Sequence, residues 1–241
     1  MTQKGDQITI LSPQDVLLTI RDSPQVTTTI LDPWYNKGIG GVRDGYLDWL
    51  IELLDGAAKK SQHVFLWGFP EIVSQVLPKI PSSLNFVAWL TWYYKNCPSV
   101  IRGWRSAQYA CLHFSRPGAR LYPEHFLTES QIEKKNEGKL RYIPGPPSVI
   151  EVPLNIGFVG KAEQTGHPAQ KPIKVFEPII LMTTVKNDFI LDPMCGSGTT
   201  GEVCLRLGRR AILCDESPDF IEITKKRMVK VKREFGQDSF F

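Results

Sequence analysis

The stretch DFILDPMCGSGTTG, residues 188–201, decides the fold. Asp188 to Leu191 reads as a strand that ends at Asp192-Pro193. Gly196, Gly198 and Gly201 follow at G-x-G-x-x-G spacing. The helix that comes next runs to Leu207 and is capped by Gly208. Ala211 to Cys214 is another strand, closed by an acid, Asp215. Glycines let a backbone approach a ligand closely, and a helix N-terminus offers free N–H groups to a negative group. An acid closing the next strand accepts hydrogen bonds from ribose hydroxyls. The unit therefore reads as a nucleotide-type binding loop.

Its position is informative. A dinucleotide domain opens with this unit and adds strands after it. Here the chain of 241 residues ends 40 residues beyond Gly201, with room for one more strand and one helix. Upstream segments must complete the sheet. Val26 to Leu31 is β-branched and ends at Asp32-Pro33, a strand followed by a loop. A glycine-rich turn, Gly38-Ile39-Gly40-Gly41, comes next, and then Leu47, Leu50, Ile51 and Leu54 at helical spacing. His63 to Trp67 reads as a strand and Glu71 to Leu77 as a short helix, with strands over Phe86 to Tyr94 and Ala107 to Phe114. Prolines, glycines and basic residues cluster from Ser115 to about Gly166, which reads as an irregular insertion. Pro172 opens a helix to about Val185, and Ser217-Pro218 opens the final one. Strands alternating with helices give an α/β class, here a permuted Rossmann-like sheet. The expected division is residues 1–115 and 166–241 as two halves of one domain, with 116–165 inserted between them.

Composition bounds the partners. Apolar residues make up 42% and charged residues 22%, which excludes a disordered or collagen-like chain. The net charge of +4 is a mild hint of an anionic partner. Five cysteines with no C-x-x-C pair argue against a zinc site or a disulfide framework, so no metal is expected. The apolar run Phe86 to Tyr94 is far shorter than the roughly 20 residues that span a bilayer. The N-terminus lacks the apolar core of a signal peptide, so the expected setting is cytoplasmic, prokaryotic or phage-type, without a membrane.

A second motif, Asp32-Pro33-Trp34-Tyr35, closes an early strand. An acceptor, a rigid proline and two aromatic faces suit a flat ring that carries an amino group. This tetrapeptide resembles the D-P-P-Y catalytic motif of the amino DNA methyltransferases, which make N6-methyladenine or N4-methylcytosine. Leu191 to Thr200 is similar to their S-adenosylmethionine motif, and Thr165-Gly166-His167-Pro168-Ala169-Gln170-Lys171-Pro172 to the T-G-H-P-x-Q-K-P segment before it. The order, catalytic motif first, resembles the β class. Trp34 stands where the family has its second proline.

The resemblance implies a methyl transfer from S-adenosylmethionine, leaving S-adenosylhomocysteine, to an exocyclic amino group of a base flipped out of duplex DNA. Adenine N6 is preferred because Asp heads the tetrapeptide, with cytosine N4 as the alternative. Asp32 and the Pro33 carbonyl are the expected acceptors on the amino group, and Tyr35 and Trp34 the stacking faces. Asp192, Pro193, Gly196, Gly198 and Thr199 are expected around the methionine part of the cofactor, Asp215 at the ribose, and Lys171 beside the pocket. Arg116, Arg120, Lys134 and Lys135 fall in the variable segment, where the family places target recognition, and Arg102 and Arg105 flank Trp104 as further DNA contacts. The expected partners also include a restriction or specificity subunit and a homodimer. An RNA amino-methyltransferase, a non-catalytic DNA-binding subunit and a nicotinamide oxidoreductase are the competing readings.

Overall fold

The computed structural model describes residues 7–36, 41–97 and 103–237, with the side chains of 235–237 left aside. Arg102 and most of the expected glycine turn, 38–40, lie outside the described residues. In chain order the strands are β1 (Ile8–Ile10), β2 (Val26–Leu31), β3 (Ser61–Gly68), β4 (Asn85–Tyr93), β5 (Gln108–Ser115), β6 (Val149–Glu151), β7 (Phe189–Asp192) and β8 (Arg210–Leu213). The helices are α1 (Val16–Asp22), α2 (Tyr46–Lys60), α3 (Pro70–Val73), α4 (Glu129–Asn136), α5 (Ile173–Thr183), α6 (Thr199–Leu207) and α7 (Pro218–Gln237). None of these helices is long and apolar enough to cross a membrane.

The strands form one mixed sheet in the order β1-β8-β7-β2-β3-β5-β4-β6. From β1 to β3 every pair is parallel, and β5 then runs antiparallel to both β3 and β4. Alternate side chains of each strand face opposite layers. Val64 and Leu66 join Leu50, Leu53 and Leu54 of α2 in one buried cluster. Phe65 and Trp67, from the same strand, join Val175 and Ile179 of α5, Val203 of α6 and Met228 of α7 in the other. Helices thus cover both faces of the sheet.

The chain leaves β2 toward β3 and leaves β7 toward β8, so the winding direction reverses between the adjacent strands β7 and β2. A crevice at the carboxyl ends of such strands is where open α/β sheets bind ligands. The sequence reading anticipated this arrangement but missed β1, α1 and β6, as well as α4, which lies in the stretch read as irregular. Strands of three residues carry no readable period, and α1 is only seven residues, started by the Asp15 carboxylate accepting from the Leu17 and Leu18 amides.

At the opposite, amino end of the sheet two buried histidines face each other. His63 Nδ1 lies 3.1 Å from His113 Nε2, and His63 Nε2 lies 2.9 Å from the Arg120 carbonyl. Burial lowers the pKa of both, His113 to about 3. Folded values below the ordinary 6.5 mean that the unfolded chain takes up protons first as pH falls. Stability from this pair is complete above pH about 6.5 and is lost progressively as pH falls toward the folded value. Chemical denaturation at pH 7.5 and 5.0 is expected to show a smaller acid-induced drop in midpoint for His113→Gln than for the wild type. An equal drop would contradict this role.

Candidate functional site

Three carboxylates stand at the carboxyl ends of three adjacent parallel strands: Asp32 after β2, Asp192 at the end of β7 and Asp215 just beyond β8. Among the described residues, Asp32 is the one of the three that pairs with a lysine. The buried Lys171 ammonium donates to both carboxylate oxygens of Asp32 and, at 2.6 Å, to the Tyr35 hydroxyl. Tyr35 in turn donates to Asp32 Oδ1 at 2.9 Å. Burial, and then the Asp32 charge, push the Tyr35 phenol well above its usual range, so it remains a donor. The ammonium also lies 5.2 Å from the ring centres of Tyr35 and Trp67 and 5.7 Å from that of Tyr109. Aromatic faces attract a cation at such distances.

Lys171 is delivered by the segment that crosses the rim before α5. Its backbone carbonyl accepts from Thr199 Oγ1 at 2.9 Å, which ties the lysine to the first turn of α6. Gln170 braces the crossing: its Oε1 accepts from the Thr165 amide and hydroxyl at 2.9 and 2.8 Å, and its Nε2 donates to the Glu163 carbonyl at 2.7 Å. His167 packs edge-on against Phe220 and accepts from the Ala169 amide through Nδ1. Burial lowers its pKa against the opposing pull of Asp32 and Asp215.

The glycine loop is held from beneath. Asp192 is 3% exposed and accepts from the Met194 amide and the Thr200 hydroxyl. Burial pushes its carboxyl up to about 7. Asp215 accepts from the amides of Gly196 and Ser217, each at 3.0 Å. A Cβ on Gly196 would stand 2.9 Å from His167 Nε2, and one on Gly201 would stand 2.6 Å from Leu213 of β8. Arg227 of α7 is buried under the loop, where it donates to Thr199 Oγ1 at 2.9 Å, to the Ser197 carbonyl at 3.2 Å and to Glu202 at 2.6 Å. Against the upward effect of burial, Arg227 and Arg206 hold the Glu202 carboxyl below its ordinary range.

A cavity of about 300 Å³ opens beside the Asp32–Lys171 pair. Tyr35, Trp92 and Tyr109 form one wall, and residues 154–156, Gln164 and residues 166–171 the other. A larger depression of about 570 Å³, between Lys59, Pro81 and Arg116, lies at the other end of the sheet, away from these acids.

The structure thus brings together Asp32, Tyr35, Lys171, Thr199 and the acids of the loop. Pro33 is buried directly after Asp32. It does not bring Trp34 to the cavity. That ring turns into the core against Tyr46 and Trp49 of α2, with centres 5.7 and 5.0 Å apart, and Tyr46 donates to the Trp34 carbonyl. Nor does it bring Arg116 and Arg120 to the rim. β5 runs antiparallel to β3, so its exit leads to the amino end, where the Arg116 amide donates to the Gln62 carbonyl. Gln62 and Leu66, the strand partner of the residue before Asp32, are separated by four residues, about 13 Å of strand. Arg120 there pairs with Glu124 and lies over Tyr122. Lys134 and Lys135 are exposed on α4, soon after a turn at 123–126 that docks on the far end of α5. Arg105 is exposed on the β4–β5 loop, on the same rim as Asp32. Sequence reasoning missed Tyr109, Trp67 and Trp92, which reach the site only through sheet pairing. It also missed Arg227, which sits in a basic run that reads as a solvated helix face.

The family model for "DNA methylase" matches residues 26–226. The type II methyltransferase M.HpaI of Haemophilus parainfluenzae is 27% identical over 239 residues, covering 92% of this chain and 74% of that protein. The type II methyltransferase M2.LlaDCHI of Lactococcus lactis subsp. cremoris is 53% identical over 64 residues, 27% of this chain; the match spans only 24% of that relative's length. Among solved structures, the M1.HpyAVI–SAM complex superposes with a TM-score of 0.68 at 22% identity, over 92% of this chain and 98% of that one.

Arg227→Met leaves the buried Glu202 with Arg206 as its one remaining cation among the pairs described. Removing one partner of a buried pair destabilises by about 3–5 kcal/mol, and Arg206 sets the lower end here. Urea denaturation should show a loss near about 3 kcal/mol, and Glu202→Gln in the same chain should restore part of it. A loss below about 0.5 kcal/mol would mean that the pair is no more than a surface contact.

Proposed function

The chain belongs to the DNA methylase family, and from that premise we propose that it transfers a methyl group from S-adenosylmethionine to the exocyclic amino nitrogen of a base in DNA, adenine N6 in preference to cytosine N4. The observation that carries the reading is the Asp32–Lys171–Tyr35 cluster, whose Tyr35 and Lys171 line a cavity together with His167, the neighbour of Gly196.

The residues fit the cofactor. Gly198, the N-cap of α6, is left-handed and supplies no side-chain cap, which leaves the first-turn N–H groups of the helix for the methionine carboxylate. Asp215 ends its strand where a ribose acceptor is wanted, and both of its present partners are backbone amides that fix its direction. Asp32 is balanced by Lys171, and Asp215 adds a carboxylate that meets no cation among the described ion pairs, so the rim is a suitable surrounding for a sulfonium cation. Asp192 and Pro193 act from beneath, by shaping the loop. Bound there, S-adenosylmethionine supplies an electrophilic methyl group on sulfur.

This chain's residues prepare the nucleophile. The lone pair of an exocyclic amino nitrogen is delocalised into the ring. Acceptors on its two hydrogens draw the nitrogen toward a pyramidal shape and free the lone pair. Asp32 is the first acceptor and the Pro33 carbonyl the second. Lys171 now holds both oxygens of Asp32; when the base arrives, it yields one and keeps the other together with Tyr35. Tyr35, backed by Tyr109, stacks on the base, a contact worth roughly 1–3 kcal/mol. After transfer the amino nitrogen carries an extra proton, and Asp32 is the nearest group to receive it. This is positioning and electrostatic preorganisation, with no covalent enzyme intermediate.

The target atom is shielded in a stacked duplex, so the base is flipped. We assign the contact with DNA to the β4–β5 loop with Arg105 and to residues 152–165, and no longer to Arg116, Arg120, Lys134 and Lys135. The division into residues 1–115, 116–165 and 166–241 is kept for the order of the functions along the chain. The type II relatives support a cytoplasmic restriction-modification setting, in which a restriction partner or a second copy takes part.

Labelled methyl transfer to unmethylated bacterial genomic DNA, followed by digestion to nucleosides, tests the reading. N6-methyladenine is expected. Asp32→Ala should lower transfer by about 10²-fold or more while leaving cofactor binding within a few-fold. Transfer that survives Asp32→Ala, or cofactor binding without any transfer to DNA, would contradict it.

A further inference from the structure

Phe158 is 93% exposed, and the loop that carries it is not loose. The Ile156 amide donates to the Leu154 carbonyl and the Val159 amide to the Ile156 carbonyl, each at 3.0 Å. Gln164 Nε2 donates to the carbonyls of Gly157 and Val159 at 3.1 and 2.9 Å, clasping the chain on either side of Phe158. Asn155 Nδ2 donates to Glu163 Oε2 at 3.1 Å, and that same oxygen accepts from the Ile173 amide. The loop is therefore anchored to the segment that delivers Lys171. A rigid loop that holds a phenyl ring out in water spends no chain freedom to bury it.

The same loop lines the cavity. Leu154, Asn155 and Ile156 are in its wall, and Phe158 is two residues further, within about 7 Å along the chain. A base that enters the cavity leaves a gap in the duplex. Apolar side chains inserted between base steps hold such gaps open. Lys161, three residues beyond Phe158, is exposed as well, and its charge suits a phosphate.

We propose that Phe158 is the wedge that enters the base stack of duplex DNA and holds the target base out. This deepens the methyltransferase reading and rests on it. Phe158 is not among the residues that line the cavity; it is a positioning residue, and it matters only where a base must leave a stack.

The test compares wild type, Phe158→Ala and Phe158→Trp on one unmethylated bacterial genomic DNA, used as duplex and as heat-denatured single strands. Phe158→Ala should lose about tenfold or more on the duplex, yet stay within about twofold of wild type on single strands. Phe158→Trp, which keeps a flat apolar ring, should retain most duplex activity. Equal activity of wild type and Phe158→Ala on duplex would overturn the wedge, as would an equal loss on both substrates. Wild-type transfer to neither DNA would overturn the methyltransferase reading itself, and the wedge with it.

Discussion

The contact between the Lys171 ammonium and the Asp32 carboxylate is the point on which the site turns. Asp32 arrives at the end of β2, and Lys171 arrives 139 residues later in the crossing before α5. Both side chains are largely out of water, where an unpaired charge is costly. Each therefore fixes the other, and the aromatic rings around them exclude competing water. Thr199 then carries the same constraint to the glycine loop through the Lys171 carbonyl. One ion pair thus links the two halves of the chain at the reversal between β7 and β2.

The glycine loop depends on a second buried pair for its shape. Arg227 reaches from the last helix to Glu202, Ser197 and Thr199, and Asp192 and Asp215 pin loop amides from the strand side. A loop restrained in this way keeps its amide groups directed before a ligand arrives. Preorganisation of this kind spares the reorganisation that a flexible loop would undergo on binding.

Most of the fold was legible, because its signals are local. The β-branched run before Asp32, the glycine spacing after Asp192 and the late position of that unit together specify a permuted parallel sheet. Asp32, Tyr35 and Lys171 were legible as motif members, but their meeting was not, since only the sheet order places β2 beside the α5 crossing. The two misplaced expectations have the same origin. Trp34 shares a tetrapeptide with Tyr35, yet successive residues leaving a strand point to opposite faces, and Trp34 falls on the α2 side. Arg116 and Arg120 have the right charge, but the antiparallel course of β5 carries them to the wrong end of the sheet. Charge can be read from sequence; strand direction sets where it is delivered.

The most direct test of this account is the distance between the Asp32 carboxylate and the amino nitrogen of a flipped base, measured in a crystal structure with S-adenosylhomocysteine and duplex DNA. The account predicts a hydrogen bond of about 2.6–3.2 Å to one Asp32 oxygen, with Lys171 retained on the other and on Tyr35. A bound base whose amino group lies elsewhere, with Lys171 still donating to both oxygens, would contradict it.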